Sequence, residues 1–349
     1  MSDGDSLDGP WAFECGAVVR PLTNRSMRPK STLSSWSPSL GRMACVAALF
    51  GAAACNGAHS APETPDAAGG AGAAGACHTP PAPNAWAAWV MPNPAASMLP
   101  NPVSYTLSTS GNQVTDDVSG LTWQRNVDAQ TFGWDEAKTY CACLSIDGVS
   151  AWRLPSRIEL ATLVDWTTVS PSIDASAFPA TASENFWTSS PVGSDEGLVY
   201  LVYFDNGHTT YATTDYTYHA RCVRSSATAP AERYSLENGT VYDTQTKLTW
   251  QQAVPPALYA WTEAGSYCKS LTLSGTGWRL PSIGELQTLV NEATNPAIDA
   301  TAFPMTPSEY FWSSSAVADD ASRAWTAFFT NGSTYSFAAT AAKNVRCVR

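Results

Sequence analysis

Trp152-Arg153-Leu154-Pro155-Ser156-Arg157-Ile158-Glu159-Leu160 comes back as Trp278-Arg279-Leu280-Pro281-Ser282-Ile283-Gly284-Glu285-Leu286, 126 positions further on. Inside it, Ser-x-x-Glu has the form of a capping box. The Ser oxygen can accept from a free amide of the first helical turn while the Glu reaches back to the Ser amide. Pro155 and Pro281 keep the chain before them extended. Apolar Leu160, Leu163 and Val164 follow in one case, and Leu286, Leu289 and Val290 in the other. A helix is therefore expected to start at Ser156 and again at Ser282.

The repetition extends in both directions. Upstream, Leu121-Thr-Trp-Gln124 returns as Leu248-Thr-Trp-Gln251, and Trp134-Asp-Glu-Ala137 as Trp261-Thr-Glu-Ala264. Downstream, Ile173-Asp-Ala-Ser-Ala-Phe-Pro179 returns as Ile298-Asp-Ala-Thr-Ala-Phe-Pro304, Phe186-Trp187 as Phe311-Trp312, and Arg221-Cys-Val-Arg224 as Arg346-Cys-Val-Arg349. This is a tandem duplication, with a period too long for a solenoid. Within each copy Trp134, Ala137, Cys141 and Leu144 (Trp261, Ala264, Cys268 and Leu271) mark one face of an earlier helix. The last third changes to strand, Asn-Gly turn, strand, over 198–212 and 324–337. Two helices and then an antiparallel sheet predict an α+β module, twice. The expected organisation is an upstream extension and signal over 1–54, a tether over 55–103, modules over 104–224 and 233–349, and a linker over 225–232.

Composition bounds the function. The 349 residues carry a net charge of −11, with 44% apolar and 14% charged residues. The charge is concentrated in residues 104–231, at −8 against −2 for 232–349. An acidic surface repels phosphate backbones, so nucleic acid is not an expected partner. Near the N-terminus the apolar run Met43–Cys55 follows Arg28, Lys30 and Arg42. It is too short to span a bilayer and reads as a secretory signal. Ala52-Ala53-Ala54 before Cys55 resembles a bacterial lipoprotein cut site, with Cys55 as the lipidated residue and Met27 or a later Met as the start. The expectation is an exported, outer-membrane lipoprotein that meets the membrane only through its anchor. The Ala-, Gly- and Pro-rich stretch after Cys55 reads as the tether.

Symmetry also orders the cysteines. Cys141 and Cys222 occupy the same places as Cys268 and Cys347, so the bridges Cys141–Cys222 and Cys268–Cys347 are expected. Each closes a loop that the chain-entropy argument values at about 4–5 kcal/mol. Cys77 and Cys143 are left as a third pair, which an exported chain makes plausible. A metal reading is weak, because Cys141-x-Cys143 has no second thiol pair.

With these landmarks together, both copies resemble the Lcl C-terminal domain family, found at the end of a bacterial collagen-like adhesin and long of unknown function. The resemblance implies a disulfide-bonded, C-type-lectin-like fold of two helices and a twisted antiparallel sheet. The Arg-Leu-Pro-Ser-x-x-Glu element is also similar to one in the formylglycine-generating, sulfatase-modifying domains. For the adhesin, the family implies glycosaminoglycan binding through basic surface. Here the collagen-like tract is absent and the first copy is acidic.

Two sets of residues are candidates for function. Trp152, Arg153, Pro155, Ser156 and Glu159, with Trp278, Arg279, Pro281, Ser282 and Glu285, read as a structural motif rather than a catalytic one. Tyr203, Asp205, His208, Tyr211, Tyr216 and His219 of the first copy are the candidate ligand site, since aromatic faces and carboxylates suit a sugar. No catalytic residue is expected, because the second copy holds no His and the cysteines are paired. No cofactor or metal is expected either. A Ca2+ site stays an open alternative, though the Glu-Pro-Asn and Trp-Asn-Asp motifs of calcium-dependent lectins are missing. The expected role is non-catalytic binding of a surface glycan or protein. The alternatives are an enzyme related to the sulfatase-modifying domains and a structural envelope component without a soluble ligand.

Overall fold

Each copy begins with short strands whose alternate residues are apolar. The computed structural model describes residues 77–80, 86, 87, 89–127, 129–193, 195–225 and 232–349, with the backbone alone at 195 and 196. Cys55 and the signal lie outside the described residues. In the first copy β1 (Tyr105–Leu107), β2 (Gln113–Asp116) and β3 (Thr122–Gln124) form an antiparallel meander, and β7 (Val223–Arg224) from the far end of the copy pairs with β3. Between them come α1 (Trp134–Cys143), the short α2 (Arg157–Leu160) and a second antiparallel sheet of β4 (Asn185–Val192), β5 (Asp195–Tyr203) and β6 (Thr209–Thr213). The second copy repeats this order with β8 (Tyr234–Glu237), β9 (Thr240–Asp243), β10 (Thr249–Gln251), α3 (Trp261–Ser270), α4 (Ile283–Gln287), β11 (Tyr310–Val317), β12 (Asp320–Phe328) and β13 (Thr334–Ala338). Even the register irregularities correspond, at 187–191 in β4 and 312–316 in β11. The modules are α+β, built on small antiparallel sheets.

The capping boxes form as written in the sequence. Ser156 Oγ accepts from Glu159 N and Glu159 Oε2 accepts from Ser156 N (2.8 Å); Ser282 and Glu285 repeat the exchange. The helices they start are brief, α2 passing at once into a 3-10 turn at Ala161–Leu163. The opening meander was not anticipated, because its strands are three or four residues long and interrupted by turns. Asp116 makes one such turn, its carboxylate accepting from Val118 N and Ser119 Oγ.

Among the described residues, three apolar clusters form. One outer cluster per copy surrounds a bridge: Cys141–Cys222 with Trp152 and Trp187, and Cys268–Cys347 with Trp278 and Trp312. The third cluster is shared, with Trp123, Ile158, Phe178 and Phe186 from one copy and Trp250, Leu286, Phe303 and Phe311 from the other. The copies meet about an approximate two-fold axis at Thr209 and Thr334, which occupy equivalent places. Each backbone amide donates to the other's hydroxyl, at 2.8 and 3.0 Å. Such reciprocal pairing is the signature of an isologous contact, here within one chain.

The tether expected over 55–103 ends earlier than its composition suggested. A third bridge, Cys77–Cys143, fastens the chain to α1. Ala87, Trp89 and Met91 are then buried in the shared core. Asn93 accepts from Ser282 Oγ (2.7 Å) and donates to Glu285 Oε1 (3.3 Å). Residues 89–103 are thus a strap crossing the second copy before β1 enters the first. The large side chains that dock it are spaced among Ala, Pro and Asn, so mean composition concealed them.

Candidate functional site

The Arg-Leu-Pro-Ser-x-x-Glu element serves the fold in both copies. In the first, Arg153 donates twice to Glu159 (2.6 and 2.5 Å), and the carboxylate is fully buried while also capping α2. Arg279 and Glu285 repeat the fork at 2.6 and 2.7 Å, but the Arg279 side chain is 22% exposed against 6% for Arg153. The second copy therefore opens at this point where the first is sealed.

The six residues proposed from the tyrosine-rich hairpin do not converge. Asp205 Oδ1 accepts from Ser170 Oγ (2.7 Å) at a turn, beside a half-buried Tyr203. Tyr216 is exposed and stacks on Tyr218, which in turn packs edge-on against Trp187. Tyr211 is exposed and lies edge-on to Tyr200. His219 is buried against Phe186. His208 faces the second copy, 5.4 Å from the ring of Tyr335 and 6.3 Å from that of Trp325. Only Tyr203 and Tyr211 lie in strands; the other four sit in the turns and the chain after β6, which a count of aromatic and acidic residues cannot register.

His208 carries its own consequence. Burial pushes its pKa below the ordinary 6.5, with a hydrogen bond to the Thr334 backbone opposing the shift. The folded value lies below the unfolded one, so the stability from neutral His208 is complete above 6.5 and is lost as the pH falls below it. Urea midpoints are expected to decline between about pH 7.5 and pH 5.5, and His208→Gln to flatten that slope. An unchanged slope in the variant would count against the assignment.

A different feature has the form of a site. A groove of about 1010 Å3 runs between the strap (Pro94, Ser97, Leu99), α3 and the end of β11, with Trp166 and Thr167 of the first copy closing one side. From α3 come Trp261, Thr262, Gly265, Ser266 and Lys269, and from the β11 side Ser314 and Ser315. The Trp261 ring is held in place by its Nε1, which donates to Ser313 O at 2.7 Å. Trp134 makes the equivalent bond to Thr188 O. Glu263 caps α3 by accepting from Ala260 N (3.1 Å), which fixes the direction in which that helix presents the indole. Lys269 is exposed, and among the described residues it forms no salt bridge. The lining offers an anchored aromatic face, several hydroxyls and two cationic heads, and it contains no His, Cys, Asp or Glu. Such a set can stack and hydrogen-bond a ligand.

The groove was not legible from motifs, since the repeated elements that line it (α3, Arg279, Leu280, Ser282, Ser314 and Ser315) occur in both copies, and the strap and Trp166 that complete it lie outside the pattern. The available signal was a difference between copies: Gly265 stands where the first copy has Lys138. Among the described residues no group of three or more His, Cys, Asp or Glu is placed to hold a metal ion, and no helix is long and apolar enough to cross a membrane. The three disulfides mark an oxidising, exported environment.

No curated protein matches the chain. The Lcl C-terminal domain profile matches it twice, over residues 112–224 and 239–349. Both matches enclose a complete capping-box element, a disulfide and the closing Arg-Cys-Val-Arg. The chain belongs to the Lcl C-terminal domain family and carries that domain in two tandem copies.

Proposed function

We propose that this chain is an exported, lipid-anchored envelope protein of two C-type-lectin-like modules that binds a surface glycan without chemically altering it. The observation that carries this reading is the groove beside Trp261. Its fixed indole can stack on the C–H face of a sugar ring, and hydroxyls from two sides can pair with sugar hydroxyls. The lining holds no cysteine, and the described cysteines are all in disulfides, which argues against chemistry of the sulfatase-modifying kind. Cys55 would supply the anchor, and the stretch after it the reach from the membrane.

The test is a glycan array probed with the whole exported chain, followed by titration of the best binder. Trp261→Ala is expected to weaken that binder by about tenfold, the scale of one lost aromatic face. Undiminished binding by the variant, or a blank array with correctly folded protein, would remove the reading.

A further inference from the structure

The two copies present the same tryptophan differently. In the first, the Lys138 ammonium sits over the Trp134 ring, 3.5 Å from its centroid, and is held there by Asp135 at 2.7 Å. Lys138 is one helical turn beyond Trp134, so the side chain folds back onto the ring. In the second copy the corresponding residues are Gly265 and Thr262. Neither the cation nor the carboxylate that steers it is present there.

The fold itself gives no reason for that glycine. Gly265 lies inside α3, where glycine is among the least favourable residues. A Cβ added there would meet no atom within 4 Å, and its backbone is not in the left-handed region. Several other described glycines have a packing or backbone reason. Gly332, for example, has a φ of +83°, and a Cβ on it would lie 2.3 Å from Val290 Cγ1. What Gly265 does achieve is empty space on the groove side of Trp261.

We infer that Gly265 makes the second copy the ligand-binding one, by baring the Trp261 face that Lys138 caps in the first, so that each chain holds a single site for the C–H face of a pyranose ring. The inference rests on the proposed glycan reading and adds the residue that opens the site and the number of sites per chain. The groove walls agree with it. Ser266 and Lys269 follow Gly265 along the same helix and add a hydroxyl and an ammonium to the lining of the same groove. The corresponding first-copy position to Lys269 is Ala142, next to the bridged Cys143.

Hydroxyl-radical footprinting of the whole chain, read by peptide mass spectrometry, tests the opening without a known ligand. Trp261 is expected to be oxidised about threefold or more above Trp134, the contrast between a bare ring and one under a cation. Gly265→Lys should bring Trp261 down to the Trp134 level, and Lys138→Gly should raise Trp134. Gly265→Ala, which adds only a methyl group, should leave Trp261 oxidation unchanged and keep the helix intact. The ligand arm repeats the measurement with millimolar cellobiose, chitobiose and a β-linked uronate disaccharide. At least one is expected to protect Trp261 and leave Trp134 unprotected, and Gly265→Lys should abolish that protection. Equal oxidation of the two tryptophans, or protection that survives Gly265→Lys, would overturn the inference. Unequal oxidation with no protection by any of the three sugars would leave Gly265 as the opening residue and refute the pyranose assignment, while the glycan reading itself is decided by the array.

Discussion

Arg157→Met is expected to destabilise the protein by about 3–5 kcal/mol, the cost of leaving a buried carboxylate without its partner. Arg157 is fully buried at the junction of the copies. Its Nε donates to Glu292 Oε1 (2.7 Å) and its Nη1 to Gln287 Oε1 (2.8 Å), and the guanidinium lies over the Tyr200 ring. Burial already pushes the Glu292 carboxyl upward, with Arg157 pulling it back down. Removing the cation leaves that push opposed only by a hydrogen bond from Ser190.

The approximate symmetry supplies the control. The positions equivalent to Arg157, Gln287 and Glu292 hold Ile283, Ala161 and Trp166, an apolar and buried set of which Ile283 and Trp166 belong to the shared core. One side of the junction is therefore ionic and the other apolar, under the same backbone frame. Arg157→Met with Glu292→Leu should recover most of the loss, ending within about 1–2 kcal/mol of the native chain, with Gln287 losing its donor. Urea unfolding of the three proteins decides it. A double variant as unstable as the single one would show that the pair is net stabilising instead of merely compensated.

The second large effect concerns the inner disulfides. Cys268→Ala with Cys347→Ala, or Cys141→Ala with Cys222→Ala, is expected to cost about 2–5 kcal/mol. These bridges join residues 79 and 81 positions apart, each with a Cα–Cα distance of 5.4 Å, and all four cysteines are fully buried in the outer clusters. Loops of this length take much conformational freedom from the unfolded chain. Each outer cluster is also small, so little else fixes α1 or α3 to the closing strand. Calorimetry of the double-alanine variants should show a clearly lowered Tm for either pair. A shift of less than about 1 kcal/mol would mean that tryptophan packing alone suffices there.

The sequence carried the duplication, the capping boxes, the helical faces of 134–144 and 261–271 and the symmetric cysteines, because each follows from local chemistry or from identity at a fixed offset. Ser156 accepts from its own first turn whatever lies beyond it. It did not carry what depends on which surfaces meet. Trp86, Trp89 and Met91 look like isolated bulky residues in a pliable stretch until the second copy provides the surface that buries Ala87, Trp89 and Met91. Tyr216 and His219 look like neighbours in a sugar site until the fold leaves one exposed on Tyr218 and buries the other against Phe186.

The sequence alone therefore determined that there are two α+β modules of one family and that they are built for an oxidising environment. Only the tertiary structure decided that they share one core, that the chain before them straps the pair together, and that a groove opens beside Trp261. The physical reason is range. Capping, periodicity and turn chemistry act within a few residues, whereas a groove exists only where the strap, Trp166 and α3, far apart along the chain, are held together by burial of apolar surface.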